Sequence, residues 1–387
     1  MADLDIPLRV STLELFFDLV FVFTITQLTS VLARGDVTAS GALQVLLIFG
    51  VLWWMYGGYA WLTNTRTPSS TTERLLLLLG MAGFLLIGLA IPDAFSRRGE
   101  GLALGLGYLL VVAVHGVLYQ RVNRNIMRVV PFNVAAAVLV IAAGLIGGVA
   151  AYLLWAVALA GPVISPLIVH PRGRFAIQPA HFVERHGALV IVVFGESVAD
   201  IGIGAAGHPL TVSLVASAVL GLALTATLWW AYFGVADDER AEEAFDRTDP
   251  AVRPALALQA YWYAYIPMLL GIVSLAAGIK VAMLRPGASL PWAPSLALGG
   301  GVALFLAGDV MFRHALDIGV LRYRAGAVVA ALAVCATGLA SSAAEIAVLA
   351  AMVVVTLVTE PRGSQGGLGG MASPRSRGVS GGRPPES

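Results

Sequence analysis

Apolar residues run in stretches of about twenty positions along nearly the whole chain, broken by short polar or glycine-rich segments. A hydrocarbon core about 30 Å thick takes roughly 20 such residues per helix. Twelve spans are therefore expected, at about 11–33, 41–62, 74–92, 101–120, 129–147, 150–169, 183–205, 210–235, 256–279, 294–313, 323–340 and 342–359. Only short Gly or Ser stretches separate spans five and six, and eleven and twelve. The runs are continuous and lack the period-two alternation of barrel strands, so the expected fold class is all-α integral membrane. From about Arg362 the chain turns to GSQGGLGGMASPRSRGVSGGRPPES, a composition that buries no core and reads as a disordered tail, 362–387.

The pattern repeats internally. LWWMYGGYA (Leu52 to Ala60) matches LWWAYFGVA (Leu228 to Ala236) at six of nine positions. One helix upstream, Glu14, Leu19, Val20 and Val22 align with Glu184, Leu189, Val190 and Val192. These matches predict two parallel six-helix halves, 1–175 and 176–361, related by an axis along the membrane normal. The alternative is convergence of two aromatic helix ends, since Trp and Tyr concentrate at membrane interfaces.

Composition sharpens the class. Of 387 residues, 58% are hydrophobic and 12% charged, about half the charge of an ordinary soluble domain. With twelve spans, 19 of the 24 basic residues fall on the side of the chain start, including Arg9, Arg66, Arg74, Arg121, Arg124, Arg128 and the tail arginines. Arg34, Arg97, Arg98, Lys280 and Arg285 fall on the other. This asymmetry places both termini in the cytoplasm. The start, MADLDIPLRV, lacks a basic region and a small-residue cleavage site, so the first run is expected to be retained. A net charge of +1 points to no nucleic-acid partner. Cys335, the single cysteine, excludes internal disulfides and reads as packing.

Candidate chemistry lies in two spans. In ELFFDLVFVFTITQL, Glu14 and Asp18 sit four residues apart and share a helix face, which continues through Val22, Ile25 and Thr29. A carboxylate at depth costs at least ~2.5 to 3.5 kcal/mol and normally finds a partner or a water-filled path. Arg9, Arg66 and Arg128, at the same membrane end, are candidate partners for Asp18, while Glu14 also reads as a helix cap. In HFVERHGALVIVVFGESVADIG, Glu184 and Arg185 mark the cytoplasmic end, and Glu196 lies thirteen residues in, on one face with Asp200. Glu196 is too far from either flank to snorkel, which suits a proton or cation role, or a protonated acid bonded to a neighbouring helix. His115 and Asp309 are candidates to extend a polar path, and with Arg185 they are the candidate polar network. Glu345 reads as interfacial, and Asp36 and Asp93 as loop residues. DDERAEEAFDRTD (Asp237 to Asp249) reads as a solvated cytoplasmic helix.

Other motifs carry nothing. GIGAAG (Gly202 to Gly207) ends a membrane helix and joins no strand to a helix, so it is not a dinucleotide loop. His181 and His186 lack zinc spacing. No enzymatic activity, metal or cofactor is expected; an embedded enzyme would need a reactive group near His181, His186 or Asp309.

ELFFDLVFVFTITQL and HFVERHGALVIVVFGESV resemble the two hallmark segments of the bacterial low temperature requirement A (LtrA) family, and the likeness covers nearly the whole chain before the tail. The resemblance implies a multi-span inner-membrane protein linked by name to growth in the cold. Span nine, QAYWYAYIPMLLGIV, lacks the histidine the resemblance leads one to expect before its apolar stretch. The first span is also similar to the E-x-F-S-D-x-V-F-x-I-x-I-T signature of non-canonical lysosomal and bacterial potassium channels. That likeness would give Phe16 and Asp18 to a motif network and Ile25 to a pore constriction, although Phe17 replaces the serine and Ala188 stands where Asp18 would repeat.

The leading expectation is an ion channel or ion-coupled transporter with a path between the halves. Asp18 and Glu196 would handle a cation or proton, Glu14 and Glu184 would organise the cytoplasmic mouth, Val22 and Ile25 would face the pore, and the Trp-Trp-Tyr ends would anchor each half. The alternative is a non-transport factor in lipid or envelope homeostasis or cold adaptation. The expected partners are the lipid bilayer and an inorganic cation or proton.

Overall fold

The computed structural model describes residues 9–35, 37–65, 68–120, 129–168, 177–234 and 237–361. The tail expected at 362–387, Asp36, Arg66, Arg121, Arg124, Arg128, Arg172 and Arg174 lie outside the described residues. Fourteen α-helices follow in order: α1 (Thr12–Leu32), α2 (Ala39–Thr65), α3 (Thr71–Ala90), α4 (Arg98–Gln120), α5 (Val130–Ile146), α6 (Gly148–Ile168), α7 (Pro179–Ala205), α8 (Val212–Tyr232), α9 (Asp237–Arg247), α10 (Arg253–Ala257), α11 (Tyr265–Leu284), α12 (Trp292–Leu316), α13 (Leu321–Gly338) and α14 (Ser342–Thr359). One π-helical turn, Leu258–Tyr263, joins α10 to α11. No strand occurs among the described residues.

Ten of these helical segments are long and apolar enough to cross a membrane, and Val130–Ile146 and Gly148–Gly161 form shorter apolar helices. Large apolar side chains such as Leu89, Leu153, Val329 and Val358 face outward, while Asp18, Arg185 and Asp309 are buried. A surface that is apolar around a charged interior is the arrangement hydrocarbon favours. Local signals set several ends. Ser11 and Ser70 close capping boxes with Glu14 and Glu73 and start α1 and α3. Gly147 and Gly148, at φ 71° and 60°, turn the chain between α5 and α6 in a region that only glycine enters freely.

Packing follows a regular order of neighbours. α1 packs on α2 and α3, then α3 on α4, α4 on α5, α5 on α6 and α6 back on α2. Further along, α7 packs on α8 and α11, then α11 on α12, α12 on α13, α13 on α14 and α14 back on α8. α1 meets α7 and α11 between the two series. The α11–α12 contact is backbone to backbone: a methyl on Gly271 would meet the Phe305 nitrogen at 2.5 Å, and one on Gly301 the Leu275 nitrogen at 2.5 Å. Small residues let membrane helices approach this closely.

Two expectations need correction. The charged helix α9 is not solvated all round, since Ala241, Ala244 and Phe245 are buried and the Phe245 ring lies 6.3 Å from that of Phe182 and 5.9 Å from that of Tyr261. Its two faces differ enough to dock one of them. The first Trp-Trp pair is no interfacial anchor either: Trp53 is buried, stacked between Phe49 and Tyr56, and Trp54 donates to Asn133 Oδ1 at 2.9 Å. In the second pair, Trp229 and Trp230 face outward.

The π-helical turn explains why Trp53 turns inward. Pro267 has no N–H to offer the carbonyls of the preceding turn, and Trp53 Nε1 donates to the Trp262 carbonyl at 3.2 Å from across the α2–α11 contact. The Trp262 ring in turn fills the space beside Gly57, where a methyl would fall 1.6 Å from a ring carbon. Gly57→Ala should therefore lower stability by about 1–3 kcal/mol or more, the range for overpacking a filled core. Gly326→Ala, whose methyl meets nothing within 4 Å, should be close to neutral. Thermal unfolding of both variants in the same detergent checks this; equal midpoints would show that the ring moves aside freely.

Candidate functional site

The inward face of α1 carries Glu14, Phe17, Asp18, Phe21, Val22, Ile25, Leu28 and Thr29, all buried. This is a stripe at helical spacing, and it meets α7 along its length. The two helices run parallel, because Glu14 pairs with Arg185 near their starts and Thr26 bonds Glu196 deeper in.

The first cluster forms at the helix starts. Arg185 Nη1 donates to Glu14 Oε1 at 3.0 Å and Nη2 to Asp18 Oδ1 at 3.1 Å. Nη1 also meets the Thr63 hydroxyl. Tyr56 donates to Asp18 Oδ1 at 2.9 Å. The guanidinium carbon lies 5.8 Å from the ring centres of both Phe17 and Tyr56, a distance at which cation–π attraction operates. Glu14 Oε2 accepts from the Ser11 backbone and hydroxyl at 2.9 and 2.8 Å, so Glu14 caps α1 and pairs with the arginine at once.

His181 completes this cluster, and its tautomer follows from its neighbours. Asn64 Nδ2 donates to the Gln178 carbonyl and Asn64 Oδ1 accepts from the Gln178 N–H, both at 3.0 Å, which fixes the amide orientation. The amide nitrogen 3.2 Å from His181 Nδ1 is therefore a donor. An amide nitrogen cannot accept, so Nδ1 accepts and Nε2 carries the proton, which it gives to Glu14 Oε2 at 3.3 Å. The cluster holds two carboxyls, Glu14 and Asp18, to one guanidinium.

The second cluster lies toward the other end of α1 and α7. Glu196 Oε2 is 2.6 Å from the Thr26 hydroxyl. Lys280 Nζ, from α11, lies 3.1 Å from Asp200 Oδ1, an ion pair close in distance but not aligned as a hydrogen bond. The same ammonium donates to Ser30 Oγ at 3.3 Å. Glu196 Oε1 and both Asp200 oxygens are buried without a hydrogen-bond donor. Here too are two carboxyls to one base. Eight residues of α1 separate Asp18 from Thr26, about 12 Å at 1.5 Å per residue. Val22, Ile25, Leu189, Val190 and Val193 are buried in that interval.

The remaining candidates go elsewhere. Glu184 stays exposed and, among the described residues, accepts from the Val10 N–H at 3.3 Å. Phe16 faces outward and leaves the inward position to Phe17, which corrects the role carried over from the channel signature. His115 packs between Tyr59 and Tyr119 in a separate part of the core. Asp309 belongs to a third cluster. It takes Arg313 Nε at 3.2 Å and Arg324 Nη1 at 2.5 Å. Arg313 reaches Asp237 at 2.6 Å, and Arg324 reaches Glu360 at 3.1 Å. Both arginines also donate to the Ala231 carbonyl, so this group clamps α8, α9, α12, α13 and the end of α14. Asp93 pairs with Arg34 and Arg97. Glu345, in the first turn of α14, is fully buried against Ser295, at 2.6 Å.

Asp18 takes Arg185 from α7 as its partner; of the arginines expected there, Arg9 makes no pair with it. Sequence reading also passed over Tyr56, His181, Thr26, Ser30 and Lys280 as members of the two clusters. One signal was available: Lys280 is the only lysine in the chain and lies inside an apolar run.

The family model described as bacterial low temperature requirement A protein (LtrA) matches residues 9–359. A protein of Rhizobium meliloti (strain 1021), described as uncharacterized, is 28% identical over 317 residues, 78% of this chain and 76% of its own length.

Removing one member of a buried ion pair typically costs about 3–5 kcal/mol, because the other charge is left bare. Arg185→Met should lose that much stability, and Arg185→Met/Glu14→Gln/Asp18→Asn should regain most of it. Unfolding midpoints of the purified variants test this. A single Arg185→Met variant as stable as wild type would show that Glu14 and Asp18 do not depend on Arg185 as a counter-charge.

Proposed function

The chain belongs to the bacterial low temperature requirement A family, and on that premise we propose that it moves a cation or proton across the bacterial inner membrane. The observation that carries this reading is the layering of the α1–α7 seam. Each end holds two carboxyls to one base, and about 12 Å of buried apolar side chains lies between them. Surplus buried acid costs free energy unless a positive charge visits or a proton binds. Two such stations facing an apolar layer suit an ion path that is closed when unoccupied, with Val22 and Ile25 as the constriction. This supports a gated route more than a water-filled pore.

The repeated order of neighbours supports two six-helix halves, α1–α6 and α7, α8, α11–α14, with the path between them. The bias of 19 of 24 basic residues to one side supports twelve crossings with both termini in the cytoplasm. In that orientation the Arg185 cluster lies near the cytoplasm and the Lys280 cluster near the outer face. Glu184 takes no part in the seam, so the inner mouth rests on Glu14, Asp18 and Arg185.

Flux in proteoliposomes tests the reading, under potassium, sodium and pH gradients in turn. Wild type should carry current or dissipate a gradient, and Glu196→Gln should reduce that rate at least tenfold while the protein stays folded. Ile25→Ala, which thins the apolar layer, should raise it. Absence of flux from folded wild type under every gradient would overturn transport and move the weight to a role in lipid or envelope homeostasis.

A further inference from the structure

The second cluster allows its ligand to be named. Glu196 and Asp200 lie one helical turn apart on α7, and both are buried. Among the described residues, the charged groups around them are few. Among the helices packed on this part of α7, α8 and α2 carry no charged residue, α1 contributes only Glu14 and Asp18 at its far end, and α11 contributes only Lys280. Two acids therefore face one ammonium. With both acids ionised, the site would hold one uncompensated negative charge in a low-dielectric interior.

A metal cation is a poor remedy. Hard cations ask for about six oxygen ligands, whereas the Lys280 ammonium stands 3.1 Å from Asp200 and repels a second positive charge. No group of three or more His, Cys, Asp or Glu among the described residues is placed to hold a metal ion. A proton needs none of this, because it neutralises one carboxylate in place.

The hydroxyl of Thr26 suits both states. It lies 2.6 Å from Glu196 Oε2 and 3.3 Å from the Val22 carbonyl, and it has one hydrogen to give. With Glu196 ionised, Thr26 donates to the carboxylate. With Glu196 protonated, the carboxyl proton goes to the Thr26 oxygen, and Thr26 turns its hydrogen to the Val22 carbonyl. Either arrangement uses the heavy-atom positions as they stand.

We infer that Glu196 and Asp200 hold one exchangeable proton between them, with the Lys280 ammonium as the fixed counter-charge. The further step, that the ion moved by this protein is the proton, rests on the transport reading above. Lys280 is a positioning residue here: it keeps one acid ionised so that the other accepts and releases the proton.

Infrared difference spectra of the full chain in lipid nanodiscs, titrated from pH 5 to pH 10, test the inference. Wild type should show a protonated-carboxyl band that Glu196→Gln removes and Asp200→Asn alters. Loss of the positive charge should make the pair hold its proton more tightly. Lys280→Met should therefore move the midpoint of the band upward by about one pH unit or more, a tenfold gain in proton affinity. Lys280→Arg should restore the wild-type midpoint. A band unaffected by both acid substitutions, or a midpoint that does not rise in Lys280→Met, would overturn the proposal. If the band behaves as stated while liposomes show no flux, the proton site stands and the transport reading falls. Flux that is indifferent to pH, with no such band, sinks the proton site alone.

Discussion

A guanidinium inside a membrane protein has to be surrounded by anions and hydrogen-bond acceptors, and Arg185 organises the start of the α1–α7 seam for that reason. It cannot shed its charge, so α1 must bring Glu14 and Asp18 to it, and α2 must bring Tyr56 and Thr63. Those demands fix the rotation of α1 about its axis. Once Glu14 and Asp18 point at α7, helical periodicity sends Val22, Ile25 and Thr29 along the same face, with Thr26 at its edge, and so places the Thr26 hydroxyl against Glu196. One ion pair near the helix start thereby sets the register of a second polar group about 12 Å deeper.

The aromatic packing beside this seam depends on a local fault in α11. The π-helical turn ahead of Pro267 frees a carbonyl that Trp53 satisfies, and this draws α2 against α11 with Trp262 seated on Gly57. Trp53 then stacks on Tyr56, whose hydroxyl holds Asp18. A backbone irregularity on one helix is thus linked, through two aromatic rings, to the orientation of a buried acid on another. The glycines of α11 and α12 serve a related end, because backbone contact between those helices leaves little freedom to the segment that carries Lys280.

The three charged clusters differ in a way that separates support from chemistry. Around Asp309, three acids (Asp309, Asp237 and Glu360) meet three arginines (Arg313, Arg324 and Arg240, the last 3.5 Å from Asp237), so the charges there match and tie five elements together. Along the α1–α7 seam each cluster has one acid too many. Matched charges hold structure; an unmatched acid invites a proton or a cation.

Composition and periodicity were enough to establish an all-helical membrane protein, nearly all of its helix positions, and the face of α1 on which Glu14 and Asp18 lie. Those properties are local: twenty apolar residues span hydrocarbon whatever surrounds them, and residues four apart share a face on any helix. The depth of Glu196 was legible for the same reason. What only the tertiary structure decided was which helix supplies each partner. Arg185 read as a flanking charge and a network candidate without a named acid, and Lys280 as a loop-side residue, because nothing in either run says that α1 lies beside α7 and α11. Likewise Glu184, aligned with Glu14 in the repeat, stays exposed, and His115 and Asp309 fall in different parts of the core. Pairing across 167 or more residues of chain is a property of packing, and packing is decided by shape and charge on all the helices at once.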